Sequence, residues 1–270
     1  MNNSTIARII LAGYRGFHFL NHGAEILAEG ICLGVQSDSI LDIISEESYG
    51  TGNDYTNDHY LDSGFQFWEK IVIDRFFDPG CQVLVAAAGG GREMIALSRA
   101  GFQADGFECS RNMVSAGRTA LLKRGIQGAL CWAPPCQVLK SEVSYGAVVV
   151  GWNGYTYIVP QVRRVEFLRD LRARLAPGGP MLVSGAIQNI RAAASVWVPA
   201  IANGVRRCTL RAARYDCGTR FPGRPRHEFS WSQLETETHA AGLSIQARYR
   251  WGPFFAIVCR SLAVQNFEKG

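Results

Sequence analysis

Residues 81–110 read Cys81-Gln-Val-Leu-Val-Ala-Ala-Ala-Gly-Gly-Gly-Arg92-Glu-Met-Ile-Ala-Leu-Ser-Arg-Ala-Gly101-Phe-Gln-Ala-Asp-Gly-Phe-Glu108-Cys-Ser110, and their order decides the fold. Val83 to Ala87 has the length and β-branched content of a strand buried on both faces. Ala88 to Gly91 carries almost no side-chain bulk, so a ligand can approach the backbone and positive φ is permitted. Met94, Ile95, Leu97 and Ala100 follow at helical spacing, and Gly101 is placed to end that helix. A second short strand closes on Glu108. Strand, glycine turn, helix, and a strand with a terminal carboxylate form a nucleoside-holding unit at the carboxyl edge of a parallel sheet. The backbone and the helix N-terminus face the charged part of the ligand, and Glu108 faces its ribose hydroxyls.

Working outward, the pattern repeats. Strands are predicted at Gly128–Ala133, Gly146–Trp152 and Pro180–Ala186, with helices at 111–124 and Val162–Leu175 between them. The turn Ala176-Pro-Gly-Gly179 precedes the last of these strands. Ser230 and Gln233 have capping-box form and open a helix that ends at Gly242. Leu243–Arg250 and Phe254–Arg260, separated by Trp251-Gly-Pro253, read as an antiparallel hairpin at the sheet edge. The fold class is α/β: a doubly wound, mostly parallel seven-stranded sheet with helices on both faces and an antiparallel C-terminal hairpin.

Before this unit, residues 4–45 look helical, with Ile6, Ile9, Ile10, Phe17 and Leu20 in one pattern and Ile26, Leu27, Ile31 and Leu33 in the next. They fit an N-terminal cap or the interface of a homodimer. The polar, tyrosine-rich stretch Tyr49–Ser63 reads as a loop; its tyrosines, among them Tyr55 and Tyr60, either close over a substrate or pin the loop to the body. One more helix is expected over Gly64–Phe77. The chain thus divides into a helical cap with a lid loop, residues 1–78, and a nucleoside-binding domain, residues 79–270, interrupted by an arginine-rich insertion at 189–226 with a helix near 191–202.

Composition narrows the function. Residues 1–78 hold four basic against twelve acidic side chains, a net −8, whereas residues 79–270 hold 24 against 11, a net +13. Eight arginines fall between Arg191 and Arg226 with only Asp216 opposing them. Either the acidic part packs on the basic part, or the insertion meets an anionic partner. No apolar run reaches the roughly 18 residues of a membrane span. Ile6–Leu11 is too short for a signal peptide and holds Arg8, and the eight scattered cysteines form no Cys-x-x-Cys pair. A cytoplasmic protein with reduced thiols is expected. No metal is expected either, because His18 and His22 lack a third ligand.

Four spaced signals resemble one family. Val83 to Gly91, Leu97-x-x-x-Gly101, Gly106-Phe-Glu108-Cys-Ser110-x-x-Met113 and Leu175-Ala-Pro-Gly-Gly179-x-x-Leu-Val are similar to the class I S-adenosylmethionine-dependent methyltransferases, over residues 80–187. The resemblance implies that Ala87, Ala88, Gly89 and Gly91 cradle the methionine part of the cofactor and that Glu108 bonds the ribose. It also implies that Cys109, Trp132 and Ala133 flank the adenine, and that Gly151, Trp152 and Asn153 line the place where methyl group and acceptor meet. Two positions depart from the pattern: Val85 and Ala87 stand where an acidic residue and a glycine are usual. Glu93 is the nearest substitute for the missing carboxylate. A dinucleotide fingerprint would need glycine at position 94, which is methionine.

The expected reaction is in-line methyl transfer to a small-molecule acceptor, anionic or aromatic, within specialised metabolism. Nucleic-acid or protein methylation through the insertion, and a regulatory protein that binds the cofactor without catalysis, are the alternatives. If the acceptor must lose a proton, His227, Tyr155 and Tyr157 are the candidate bases, with Trp152 as part of an aromatic wall.

Overall fold

The computed structural model describes residues 21–47, 54–140, 142–187, 193–212 and 214–262. The expected helix over Ile6–Leu20 lies outside these residues. In chain order the elements are α1 (residues 21–35), α2 (Asp38–Glu47), α3 (Asp58–Leu61), α4 (Phe67–Phe76), β1 (Gln82–Ala86), α5 (Arg92–Arg99), β2 (Gln103–Glu108), α6 (Arg111–Lys123) and β3 (Leu130–Trp132). There follow β4 (Ala147–Val150), a 3₁₀ turn at Gly154–Tyr157, α7 (Gln161–Arg172), β5 (Met181–Ala186), α8 (Ala193–Cys208), β6 (Thr219–Arg220), β7 (Arg226–His227), α9 (Trp231–Ala240), β8 (Leu243–Trp251) and β9 (Phe254–Ser261).

Seven strands make one sheet in the order β3-β2-β1-β4-β5-β9-β8. The first five are parallel; β9 runs antiparallel to β5, and β8 pairs with β9 as the outer strand. Alternation along the strands fills both faces. Leu84, Ala86, Val148, Val150, Met181 and Val183 point to one face, where Phe167, Leu168 and Leu171 of α7 and Leu234 of α9 cover them. Val83, Val85, Ala147, Val149 and Leu182 point to the other, beneath α4, α5 and α6. Burial on both faces explains why the strands read as continuous apolar runs. Through Trp68, Val72 and Ile73, α4 packs on the sheet itself.

The fourth strand is trimmed to Ala147–Val150 and the insertion's helix runs on to Cys208, and two further expected spans change for local reasons. The third strand is shorter than Gly128–Ala133 because Ala129 donates its N–H to Asp105 Oδ1 instead of to the ladder (2.8 Å). The stretch expected to be all loop contains α3, whose N-cap Asn57 accepts from the Tyr60 N–H at 2.8 Å.

The N-terminal helices and the insertion fold onto each other. Ile26, Leu33 and Leu41 share a core with Ala194, Val198, Ala202 and Tyr215. The helices meet at two glycines: a Cβ at Gly30 would lie 2.7 Å from the Ile201 side chain, and one at Gly34 2.7 Å from Val205. The charge asymmetry resolves here, because Arg220 pairs with Glu29 (2.7 Å), Arg214 with Asp38, and Arg163 with Asp42 (2.7 Å). Arg206 and Arg211 donate to the Gln36 and Val35 carbonyls. No helix among the described residues is long and apolar enough to cross a membrane.

Candidate active site

A cavity of about 340 Å³ opens where the chain leaves the carboxyl ends of β1, β2, β3 and β4. That is the switch point of the sheet, where strand order reverses between β1 and β4, and the volume is that of a small-molecule site. Its floor is Ala87, Ala88, Gly89 and Gly90. Gly89 and Gly91 have φ of +54° and +94°, so these two glycines answer a backbone need; Gly91 then caps α5. Ala87, at φ +53°, holds the same left-handed region with a Cβ attached, a strain of about 1–2 kcal/mol that a glycine there would not carry.

Glu108 sits at the end of β2, only 5% exposed, and lines the cavity. One carboxylate oxygen accepts from the N–H of Cys109 (2.8 Å) and of Ser110 (3.0 Å), the other from the N–H of Gly89 (3.0 Å). Three backbone donors therefore fix the carboxylate and tie the glycine loop to β2.

Glu93 also lines the cavity, behind which lies a buried charge cluster. Arg92 donates to Glu69 through both terminal nitrogens (2.8 and 2.7 Å), to Glu93 (2.6 Å) and to the Gly64 carbonyl (2.7 Å). All three side chains are nearly inaccessible. Burial raises the proton affinity of Glu69, and the Glu93 charge adds to it against the pull of Arg92. Burial opposes the charge on Arg92, yet Glu93 and Glu69 hold its guanidinium protonated. Two carboxylates thus share one guanidinium, and Glu93 is the member of the cluster that reaches the cavity.

The roof is the segment carrying α3. Tyr55 and Tyr60 line the cavity, edge to face at 5.3 Å. Burial, with Glu93 second, pushes the Tyr60 phenol up to about 12. Asp58 and Asp62 latch α3 to α5 and α6 through Arg99 (2.5 Å), Lys123 (2.7 Å) and Arg124 (2.6 and 2.8 Å). Gly90 serves this roof: a Cβ there would meet the Tyr55 carbonyl oxygen at 2.5 Å. Gly90→Ala should thus lift the segment, weakening ligand binding roughly 10-fold, about 1.4 kcal/mol, and speeding amide exchange over residues 54–63. Calorimetry with exchange mass spectrometry checks it; unchanged affinity would remove the roof from the site.

The far wall is Trp152, Asn153, Gly154 and Tyr157 after β4, with Ser45 of α2 and Pro134, Pro135 and Cys136 after β3. The loop presses on the cradle, since a Cβ on Gly151 would lie 2.3 Å from the Ala87 carbonyl oxygen. Asn153 takes φ +60°, a conformation asparagine tolerates. Arg224 stacks over the Tyr157 ring at 4.2 Å and donates to its hydroxyl at 2.8 Å.

Of the residues singled out in the sequence, the cavity gathers Ala87, Ala88, Gly89, Glu93, Glu108, Cys109, Ala133, Trp152, Asn153, Tyr55, Tyr60 and Tyr157. Gly91 and Gly151 support the lining without joining it, and Trp132 is fixed by donating to the Cys109 carbonyl (2.8 Å) beneath the Arg111 guanidinium (3.6 Å). Met113 was readable from its spacing after Ser110. Ser45, Cys136 and Gln137 carry no comparable signal in the sequence.

Tyr155 and His227 are not brought to the cavity. Both are fully buried in a hub around Arg164, which binds Glu237 (2.6 Å) and Asp216 (3.0 Å). The Tyr155 hydroxyl donates to Glu237 (2.5 Å), and burial first, then Glu237, raises its pKa well above 10. His227 Nδ1 meets the Thr219 hydroxyl at 3.1 Å; burial first, then Arg164, holds the imidazole well below 6.5. Asp216, His227 and Glu237 have ligand atoms within 4.8 Å of one another, but the Arg164 guanidinium already bonds both carboxylates and takes a cation's place.

No protein-family model matches the sequence, and no curated protein does. Solved structures match its fold. The CcbJ methyltransferase from Streptomyces caelestis aligns with TM-score 0.61 at 16% identity, over 81% of this chain and 99% of that one. The 1,6-didemethyltoxoflavin-N1-methyltransferase of Burkholderia thailandensis, with its substrate and S-adenosylhomocysteine bound, aligns at 0.60 and 13%, over 85% and 92%. The glycopeptide N-methyltransferase MtfA with S-adenosylmethionine aligns at 0.53 and 14%, over 84% and 98%. The fold is that of the class I S-adenosylmethionine-dependent methyltransferases.

Proposed function

We propose that the protein is an S-adenosylmethionine-dependent methyltransferase acting on a small-molecule acceptor in specialised metabolism. The observation that carries this is Glu108, a backbone-clamped carboxylate at the end of β2, beside a glycine cradle at the switch point of the sheet. Glu108 holds the ribose, the segment Ala87–Gly90 approaches the methionine part, and Cys109, Met113 and Ala133 flank the adenine. When bound, the cofactor supplies a methyl group on a sulfonium: the acceptor's lone pair makes the new bond to carbon, and the old bonding pair stays on sulfur. The residues of this chain align the partners and exclude water, which lowers the barrier by several kcal/mol. The N-terminal helices and the insertion, packed together, act as a cap over the site. The stripe Leu27, Ile31 and Val35 on α1, each at least 41% exposed, is the surface for a homodimer, which light scattering tests.

The cofactor fits on grounds independent of the fold. Glu93 substitutes for the carboxylate missing at Val85 and takes the ammonium, which neutralises the cluster of Glu69, Arg92 and Glu93. Glu93→Gln should weaken S-adenosylhomocysteine binding at least 10-fold while leaving the melting temperature of the free protein equal or higher, because it removes the surplus buried charge. Calorimetry and thermal melts check both. Unchanged affinity would place the ammonium elsewhere.

Names of similar structures support the small-molecule class: two are a 1,6-didemethyltoxoflavin-N1-methyltransferase and a glycopeptide N-methyltransferase. Six of the insertion's arginines, at 206, 211, 214, 220, 224 and 226, bond within the chain, so little supports a nucleic-acid surface.

A further inference from the structure

We infer that Gln137 reads the nucleobase of the cofactor and that, being an amide, it takes a 6-oxo purine as readily as a 6-amino one. This rests on the proposed methyltransferase reading and specifies the base tolerance of the same site.

The backbone brings Gln137 to the adenine end of the cavity. β3 ends at Trp132, and Ala133, assigned above to the adenine, is followed by Pro134-Pro-Cys-Gln137, all in the cavity lining. The Gln137 N–H donates to the Pro134 carbonyl at 3.2 Å. Proline is second in this turn and Cys136, at φ +62°, is third, which is the pattern of a type II turn. Such a turn holds its first and last Cα atoms within about 7 Å, so Gln137 returns to the end of β3. Across the cavity, α2 closes the same end. Its Ser45 is in the lining, and Glu46 pairs with Arg111 (3.3 Å), which lies over Trp132 (3.6 Å).

Most hydrogen-bonding groups at this end are already engaged. The Cys109 and Ser110 N–H groups donate to the Glu108 carboxylate, that of Met113 to Ser110 Oγ (3.4 Å), and that of Ala133 to the Glu108 carbonyl (3.1 Å). Pro134 and Pro135 have no N–H. The Cys109 carbonyl accepts from the Trp132 indole. Among the described residues no lysine, arginine or histidine lines the cavity, and its carboxylates, Glu93 and Glu108, are held by Arg92 and by backbone donors. The polar side chains left at this end are two thiols, which are weak partners, the Ser45 hydroxyl, which donates to the Leu41 carbonyl (2.9 Å), and the Gln137 amide.

The Watson–Crick edge of adenine sets an acceptor, N1, beside a donor, the 6-amino group. Of these side chains the amide alone carries a donor and an acceptor side by side to match it. Gln137 is exposed, and no described residue bonds its side chain, so the amide turns over at little cost. Turned over, its NH2 donates to a 6-oxo group and its oxygen accepts from N1–H, which is the edge of hypoxanthine. A carboxylate, acceptor on both oxygens, has nothing to offer a 6-oxo group.

The test titrates the full chain by calorimetry with S-adenosylhomocysteine and with S-inosylhomocysteine, its 6-oxo counterpart. The two should bind within about 3-fold of each other, since each pairs with one orientation of the amide. Gln137→Met keeps the length of the side chain and removes the amide. It should weaken both ligands about 5-fold, the scale of one hydrogen bond net of water, and leave the melting temperature of the free protein unchanged. S-inosylhomocysteine binding roughly 10-fold or more weaker than S-adenosylhomocysteine would overturn the inference. So would a Gln137→Met chain that binds both ligands as the parent does, or one that loses affinity for a single ligand. If S-adenosylhomocysteine itself does not bind, the methyltransferase reading fails first, and the two failures are told apart.

Discussion

Replacing Glu108 with Ala should weaken binding of S-adenosylhomocysteine by 100-fold or more, roughly 3 kcal/mol, and lower the melting temperature of the free protein by several degrees. The effect exceeds the loss of a ribose contact because the carboxylate does two things at once. Its oxygens accept from Gly89, Cys109 and Ser110, so truncation orphans three backbone donors at the point where the glycine loop meets β2. Each unsatisfied donor costs about 1–3 kcal/mol where water cannot replace the acceptor; the opened cavity admits water, which keeps the stability cost low. Glu108→Gln is the sharper variant. Gln has the same shape, but its amide turns one oxygen into a donor that must face either the Gly89 N–H or the Cys109 and Ser110 pair. Both orientations set donor against donor, so Gln should lose nearly as much affinity as Ala. If calorimetry shows Gln binding like the parent, neither the carboxylate's hold on the loop nor a contact with the ligand sets the affinity.

The sheet and the cradle were legible because their signals are local. A buried parallel strand must be apolar throughout, a left-handed turn calls for glycine, and the residue ending β2 reaches the cavity whatever lies far along the chain. Glu93 was legible for the same reason, lying in the first turn of the helix that follows the glycine loop. What was not legible depends on which distant element covers a side chain. His227 and Tyr155 have the chemistry of a base and sit close in sequence to cavity-lining or capping residues, yet α7, α9 and the insertion close over both. Gly90 reads as part of a ligand cradle and lines the cavity, but it also makes room for the Tyr55 carbonyl, 35 residues earlier, which no local signal shows. The arginine cluster offered two readings; only the fold of α1 and α2 against the insertion shows Glu29 and Asp38 as partners.

The largest effect on stability is expected at Arg164. Its guanidinium, fully buried, bonds Glu237 through Nε (3.0 Å) and one terminal nitrogen (2.6 Å), Asp216 (3.0 Å) and the Ile158 carbonyl (3.3 Å). It thereby joins α7 of the sheet domain to α9 and to the insertion. Arg164→Met leaves the Glu237 carboxylate buried and uncompensated, which costs about 3–5 kcal/mol. At about 2–4 °C per kcal/mol for a chain of this size, the melting temperature should fall by roughly 10 °C. Arg164→Lys should recover little, since a point charge cannot serve Glu237 and Asp216 together. The double variant Arg164→Met with Glu237→Gln should recover a large part, because it removes the orphaned charge along with its partner. The hub also sets an acid limit. His227 is held neutral in the folded state, well below its ordinary 6.5, so the stability it contributes is complete above pH 6.5 and is lost as pH falls beneath that value. Arg164 is the second cause of that depression after burial, so in Arg164→Met the imidazole regains part of its basicity and the fall in melting temperature between pH 7 and 5 should become shallower. Melts across that range decide it: a double variant no more stable than the single one would mean that Arg164 acts through packing, and an unchanged acid slope would detach His227 from the hub.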